Sequence, residues 1–466
     1  MNRIDYFPEF AARMEKEGIK PAAIRAFQSS YTKLVQGQTG LIPEAKIEPV
    51  VDLPSLEQIP TKEEQSLLNQ TVVIKLNGGL GTSMGLAGAK SLLEVKNGLT
   101  FLDFIARQIL FLRERYGQRL RFLLMNSFNT SDETLRFLAK YPELGEPRQL
   151  ELMQGLVPKV DAETLRPVSW PAHPQLEWCP PGHGDIYPSL VVSGWLDRLL
   201  ADGVRFAFVS NSDNLGASLD LRLLTYFAES GKPFIMEVTE RTEADKKGGH
   251  LARYHDGRFL LRESVQCPET DTASFQDIRR HRFFNTNNLW IRLDHLQKVL
   301  EQNAGIVPLP LIKNSKTVDP RDKKSPAVFQ LETAMGAAIE SFVNSGAVNV
   351  PRTRFAPVKT TADLLTLRSD ACDVTSDWRI GLVPELGGKP PAIDLDPDYY
   401  KLVDQLDARV RSVPSLKACR RLKVRGPVDF EQGITFRGSV EVVNSGKDSR
   451  PLKPAVYEDK TINVTS

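Results

Sequence analysis

The residues most able to do chemistry lie in Leu76-Asn77-Gly78-Gly79-Leu80-Gly81-Thr82-Ser83-Met84-Gly85, closed by Lys90. Glycines at this density let a backbone bend tightly and approach a ligand with no Cβ in the way. Successive N–H groups in such a loop form a concave anion seat, and a nearby lysine adds full charge. The spacing predicts a phosphorylated nucleotide as cargo; an ordinary glycine-rich turn is the competing reading. Two well-known phosphate loops are excluded. A Walker A loop needs glycine before the lysine, and here Ala89 precedes Lys90 while Met84 fills the first glycine position. A dinucleotide fingerprint needs G-x-G-x-x-G and then an acid ending the next strand. Gly79-Leu80-Gly81 is followed by Gly85, one residue too far, and the next strand, Arg121 to Met125, runs into Asn126-Ser127.

Four further groups carry polar chemistry. Pro180-Pro181-Gly182-His183-Gly184-Asp185 is a stiff, glycine-hinged loop. Its backbone at Gly182 and Gly184 can read a planar base edge, and His183 can donate to a phosphate or sugar oxygen; a turn with Asp185 as helix cap is the plainer reading. Asp213 follows an apolar strand, where open α/β sheets collect ligands. A carboxylate there suits Mg²⁺, which takes few protein ligands, but it equally suits a cap for a helix starting near Leu219. Asn285, Asn287 and Asn288 lie between apolar residues. Amides both donate and accept, which suits sugar hydroxyls, and Asx turns at a strand entrance are the alternative. Lys359 follows Pro351 and Pro357 and precedes a short helix. Proline stiffness would hold it in place; a solvent-facing lysine is the other reading. Together these are the parts of nucleotidyl transfer to a sugar phosphate.

The elements that must position them alternate. An apolar strand from Val72 leads into the glycine loop. Thr100 and Asp103 make a capping-box start for a helix carrying Leu102, Ile105, Ile109 and Leu112. The strand Arg121 to Met125, a helix from Ser131 to Leu138, a helix from Ser189 to Leu200 and the strand Val204 to Val209 follow. This order predicts an α/β layer structure with a mostly parallel sheet. Upstream, Phe7 to Val35 reads as helical and Gly40 to Thr61 as an extended strap. Downstream the period changes. Leu422, Val428, Ile434 and Val440 are six apart, and Val424, Phe430, Phe436 and Val442 repeat that interval. A six-residue aliphatic repeat predicts a parallel β-helix, a plausible assembly device; two hairpins are the alternative.

With 466 residues the chain can bury a large core, in two or three domains. A net charge of +2 gives no global field to recruit nucleic acid or a membrane. Cys179, Cys267, Cys372 and Cys419 are scattered, with no zinc spacing, which fits reduced thiols in a cytoplasmic protein.

Lys75 through Gly85, Pro180 through Tyr187, Ser210 through Ala217, Glu237-Val238-Thr239, Lys247-Gly248-Gly249, Phe284 through Trp290, Gln330 through Ala334 and Val350 through Leu365 together resemble the eukaryotic-type UTP–glucose-1-phosphate uridylyltransferases. The resemblance implies a Rossmann-like nucleotidyltransferase domain and a C-terminal left-handed parallel β-helix. The expected division is a helical segment and strap over 1–65, a catalytic domain over 66–375, and a linker helix with the β-helix over 376–466. It implies transfer of UMP from UTP to glucose 1-phosphate with Mg²⁺ as cofactor, and a homo-oligomer through the β-helix. Leu76, Asn77, Gly78 and Gly79 would hold the uridine and its phosphates, and Lys90 the triphosphate. Gln154 and Gly182 would read uracil. His183 would lie near phosphate or sugar, Asn211 and Asp213 would meet substrate and metal, Asn285 and Asn287 would face the hexose, and Lys359 would bridge the phosphates of both substrates. Another hexose 1-phosphate such as galactose 1-phosphate, or a non-catalytic UDP-sugar-binding role, are the rivals.

Overall fold

In the computed structural model, residues 5–464 are described. Its centre is a ten-stranded mixed sheet. Thr71–Asn77 runs parallel to Phe206–Asn211 on one side and to Arg121–Asn126 on the other, with Glu151–Met153 beyond. Register aligns Leu76 with Asn211 and Asn77 with Asn126, so three strand ends open at one edge. Alternate side chains enter two cores. Val73, Phe206 and Phe208 face one, with the helices Phe101–Tyr116 and Leu221–Glu229. Val72, Ile74, Ala207 and Val209 face the other, with Ile186–Val192 and Trp195–Ala201. Strands buried on both faces have no polar side, which explains their continuous apolar runs.

The expected mostly parallel sheet is corrected on the other half. The ten-residue strand Phe283–Arg292 pairs antiparallel with Phe206–Asn211 and with Phe234–Glu240. His250–Tyr254 and Phe259–Arg262 add an antiparallel hairpin. A short turn can join only antiparallel neighbours, and this hairpin has one at Gly257. Two predicted helices are each two. Phe7–Lys16 stops before Gly18 and Pro21–Val35 starts anew at a proline, while Gly194 divides Ile186–Val192 from Trp195–Ala201. The Thr100–Asp103 capping box forms as predicted.

The strap contributes an edge strand, Ile47–Pro49, and is pinned at Glu44, whose carboxylate meets Arg262 at 2.6 Å and His281 at 2.9 Å. From Ala392 onward every strand pairing among the described residues is parallel, linking Ala392–Leu395, Ser415–Arg425, Thr435–Val443, Val456–Glu458 and Thr461–Asn463, and separately Val428–Phe430 with Arg450–Leu452. Leu422 pairs with Val440 and Val424 with Val442, eighteen residues on, which is three of the six-residue steps. The inward residues of these coils join the same core as Phe101–Tyr116. All four cysteines are free thiols. Among the described residues no helix is long and apolar enough to cross a membrane.

Candidate active site

The glycine loop leaves the sheet at the aligned strand ends and turns through Gly81, whose φ of +65° suits glycine. The loop closes on itself where Lys90 N–H donates to Gly79 carbonyl at 3.2 Å. Lys90 Nζ then reaches Asp213 Oδ2 at 2.7 Å and donates to Val358 carbonyl. Val358 N–H returns to Asp213 carbonyl at 3.2 Å. Three segments more than a hundred residues apart therefore meet at one point. Lys359 comes next in the chain. The residue is exposed, its ammonium lies 5.9 Å from the Phe355 ring centroid, and its N–H donates to the Asp363 carboxylate that caps Thr361–Arg368.

The capping alternative for Asp213 fails, because Asp220 takes that post by accepting from Leu223 N–H at 3.0 Å. Asp213 Oδ1 is buried with no protein partner. A largely shielded carboxylate with an unused oxygen fits Mg²⁺, which keeps water and phosphate as its remaining ligands. Among the described residues no cluster of three or more metal-ligating side chains exists.

A second group of residues gathers around Gly182. Gln154 Nε2 donates to Gly182 carbonyl at 3.1 Å, and a Cβ on Gly78 would lie 2.5 Å from Gln154 Oε1. These three residues are thus brought together from three loops. Gly182 has φ +80°, and a Cβ there would lie 2.5 Å from Thr333 carbonyl, so only glycine fits. His183 Nδ1 accepts from Met335 N–H at 3.0 Å, which assigns the ring proton to Nε2. Burial pulls its pKa down to about 4, so it is neutral near pH 7. Asp185 is no helix cap. It accepts from Gly155 N–H at 2.6 Å and Ser189 hydroxyl at 2.9 Å, tying the Gln154 loop to the Gly182 loop; burial pushes its pKa up to about 6 against those bonds. The amide of Asn77 is occupied by Asn126 Oδ1 at 2.8 Å and the Ser212 hydroxyl at 3.3 Å, while Leu76 carbonyl accepts from Ser212 N–H at 3.0 Å.

The asparagine face comes from a β-bulge. Pairing of Phe283–Arg292 with Phe234–Glu240 skips Thr286 and Asn287, and Asn287 sits at φ +61°. A bulge re-aims side chains, and asparagine tolerates this backbone better than most residues. Asn287 Nδ2 meets Asn211 Oδ1 at 3.0 Å, its N–H meets Asn285 Oδ1 at 2.9 Å, and its own Oδ1 is buried without a partner. Beside Asn285 lies Glu263, which the sequence reading missed. Burial raises its pKa, opposed by a hydrogen bond from Asn285 and the charge of Lys359. No spacing rule marks a lone glutamate ending a hairpin, so no local signal was there to find.

Beneath the site lies a buried ionic group, also missed. Arg354 holds Glu237 with two bonds of 2.8 and 2.7 Å, and Trp290 Nε1 and Asn288 Nδ2 complete the carboxylate at 2.9 and 3.1 Å. Arg354 also donates to Ser218 carbonyl at 3.1 Å, and its carbonyl accepts from Asn214 at 3.1 Å. Lys75 Nζ donates to Ser210 Oγ at 2.8 Å and Ala217 carbonyl at 2.6 Å. Both ends of the Asp213 loop are thereby clamped. Burial, then Arg354, pull the Lys75 pKa down to about 7 against Glu237 and Asp213.

A glycine loop at the carboxyl ends of parallel strands, with a lysine–aspartate pair at its closing lysine and glycines packed on Gln154 and Thr333, marks a nucleotide-handling α/β site. The comparisons sharpen this class. The family described as UTP–glucose-1-phosphate uridylyltransferase matches residues 24–437. A Solanum tuberosum protein of that name is 41% identical, over 91% of this chain and 86% of its own. A Leishmania major UDP-glucose pyrophosphorylase variant, solved in complex with UDP-glucose, superposes with TM-score 0.94 at 47% identity, covering 99% of this chain and 100% of that one. A Trypanosoma brucei structure, titled UDP-glucose phosphorylase, gives TM-score 0.90 at 49% identity over 99% and 100% of the two chains. The chain belongs to the UTP–glucose-1-phosphate uridylyltransferase family.

Proposed function

We infer that the chain transfers UMP from UTP to glucose 1-phosphate, giving UDP-glucose and pyrophosphate, in a reversible reaction. In a chain of this family, the observation that carries the reading is the meeting of Lys90, Asp213 and Val358 at the mouth of the glycine loop. A sugar-phosphate oxygen attacks the α-phosphorus of UTP in line and pyrophosphate leaves. The nucleophile is already an anion, so no general base is needed. The barrier is repulsion between anions plus misalignment, and catalysis is positioning with charge neutralisation.

Loop N–H groups from Leu76 to Gly79 hold the nucleotide backbone. Lys90 and Lys359 offset charge on the triphosphate and on both substrate phosphates. Asp213, through Oδ1, is the residue that would hold Mg²⁺, which supplies further charge neutralisation when bound. Gln154 and Gly182 read the uracil edge, and the neutral His183 donates from Nε2. Asn211, Asn285, Asn287 and Glu263 take the hexose hydroxyls.

The eighteen-residue rung spacing supports a left-handed β-helix for the C-terminal coils, with the homo-oligomer contact on its edge. The test of function is a panel of nucleoside triphosphates against hexose 1-phosphates, galactose 1-phosphate included, read by released pyrophosphate. Turnover greatest with UTP and glucose 1-phosphate supports the reading. UDP-glucose binding with no turnover in Mg²⁺ overturns it.

A further inference from the structure

We propose that Glu133 is a positioning residue for Lys90, acting through the backbone of Gly88 and Ala89. The proposal rests on the reading that Lys90 meets the triphosphate. Most hydrogen bonds of the glycine loop are internal. Met84 N–H and Leu86 N–H both return to Gly81 carbonyl, at 2.9 and 3.4 Å, and Lys90 N–H returns to Gly79. They shape the loop without fixing where it stands. At its start Ser127 Oγ holds Gly78 carbonyl at 3.1 Å. At its far end, immediately before Lys90, the anchor is Glu133: Ala89 N–H donates to Glu133 Oε1.

The seat is built on both sides. Glu133 lies in the first turn of Ser131–Leu138, and that turn is tied to the sheet edge. Thr130 N–H and Ser131 N–H each donate to Ser127 carbonyl at 3.0 Å, and Thr134 Oγ1 donates to Thr130 carbonyl at 2.7 Å. On the loop side a Cβ at Gly88 would lie 2.6 Å from Glu133 Oε2 and 3.0 Å from Oε1. Both carboxylate oxygens therefore press on bare backbone, and any side chain at residue 88 would displace them. A bond from N–H to a carboxylate is roughly twice as strong as a neutral one. Ala89 is itself buried, 4% exposed. Rotation at residue 89 would carry Lys90 away from Asp213 and Val358, so this bond sets where the ammonium arrives.

Ala89 has φ −60° and ψ 125°, a conformation that proline adopts without strain. Ala89→Pro deletes the donor yet fixes the same φ, so it can replace the restraint by other means. The experiment measures Michaelis constants for UTP and glucose 1-phosphate by pyrophosphate release in Glu133→Ala, Glu133→Gln, Lys90→Ala, Lys90→Ala/Glu133→Ala and Ala89→Pro/Glu133→Ala. Glu133→Ala should raise the UTP constant about tenfold and leave the glucose 1-phosphate constant within about twofold. Glu133→Gln, which keeps an acceptor oxygen, should recover most of the loss, as should Ala89→Pro/Glu133→Ala. Glu133→Ala should add nothing to Lys90→Ala. Amide exchange of residues 86–90 should quicken in Glu133→Ala, a readout that does not depend on turnover. An unchanged UTP constant in Glu133→Ala, no rescue by proline, or full additivity with Lys90→Ala overturns the proposal. An unchanged UTP constant in Lys90→Ala instead removes the loop reading beneath it.

Discussion

The two walls of the site are built on opposite principles. The Lys90 side uses charges delivered by distant segments, with Lys90 and Asp213 partly open to solvent and Lys359 exposed. The Gly182 side uses glycines, the carbonyl of Thr333, the amide of Gln154 and an uncharged imidazole, with one buried carboxylate, Asp185, tying its loops together. Under the proposed function the difference follows from the ligand. A triphosphate needs counter-charge where charge develops, whereas a base edge is read by a few well-aimed hydrogen bonds in a close-fitting slot.

The largest test of this contrast is on the charged side. Asp213→Asn and Lys359→Ala should each lower turnover on the order of 10²-fold or more with little change in thermal stability. Pyrophosphate release beside a melting curve checks this, and full activity in either variant would remove that residue from the chemistry. On the Gly182 side, Gly182→Ala forces a Cβ to within 2.5 Å of the Thr333 carbonyl at φ +80°. It should raise the UTP Michaelis constant about tenfold and spare pyrophosphate binding, with Gln154→Ala narrowing the preference for UTP over CTP. Equal losses for every nucleotide would erase the distinction between the walls.

A smaller effect tests neutrality directly. His183 has its pKa lowered from 6.5 to about 4 by burial. The unfolded chain therefore gains this proton as pH falls through about 6.5, while the native chain does not until about 4. Its contribution to stability is present above that window and lost across it. An NMR titration of the His183 ring should stay flat from pH 8 to about 5; a midpoint near 6.5 would place a cation beside Gly182.

A second pH effect lies beneath the Lys90 side. Lys75 falls from 10.5 to about 7, so the native chain gives up its proton before the unfolded chain does. Stability from this group rises as pH climbs from about 7 to 10.5. The melting temperature of the wild type should gain on Lys75→Met over that range, and a constant gap would show that Lys75 keeps its charge.

Much of this was legible beforehand, and for physical reasons. The glycine loop, the Thr100 cap and the six-residue repeat are local signals, each a consequence of backbone geometry within a few residues. The sheet's antiparallel half was not legible, because strand direction depends on which neighbour a strand finds. Nor were Glu237, Arg354, Lys75 and Glu263. Each is a lone charged residue whose meaning comes from a partner far along the chain, such as Arg354 closing on Glu237 across 117 positions. Asp185 and Asp213 show the same limit, since spacing left each with a capping alternative. Only the observed bonds, and Asp220 at the helix start, decided between the readings.

The sequence by itself determined that a flexible, N–H-rich turn would follow an apolar strand, and that lysines and one aspartate existed to serve it. Tertiary structure alone decided that Lys90 and Asp213 converge and that the buried His183 stays neutral. Long-range convergence is set by packing of the two cores against the sheet, and neutrality by burial, and neither is a property of any short stretch of chain.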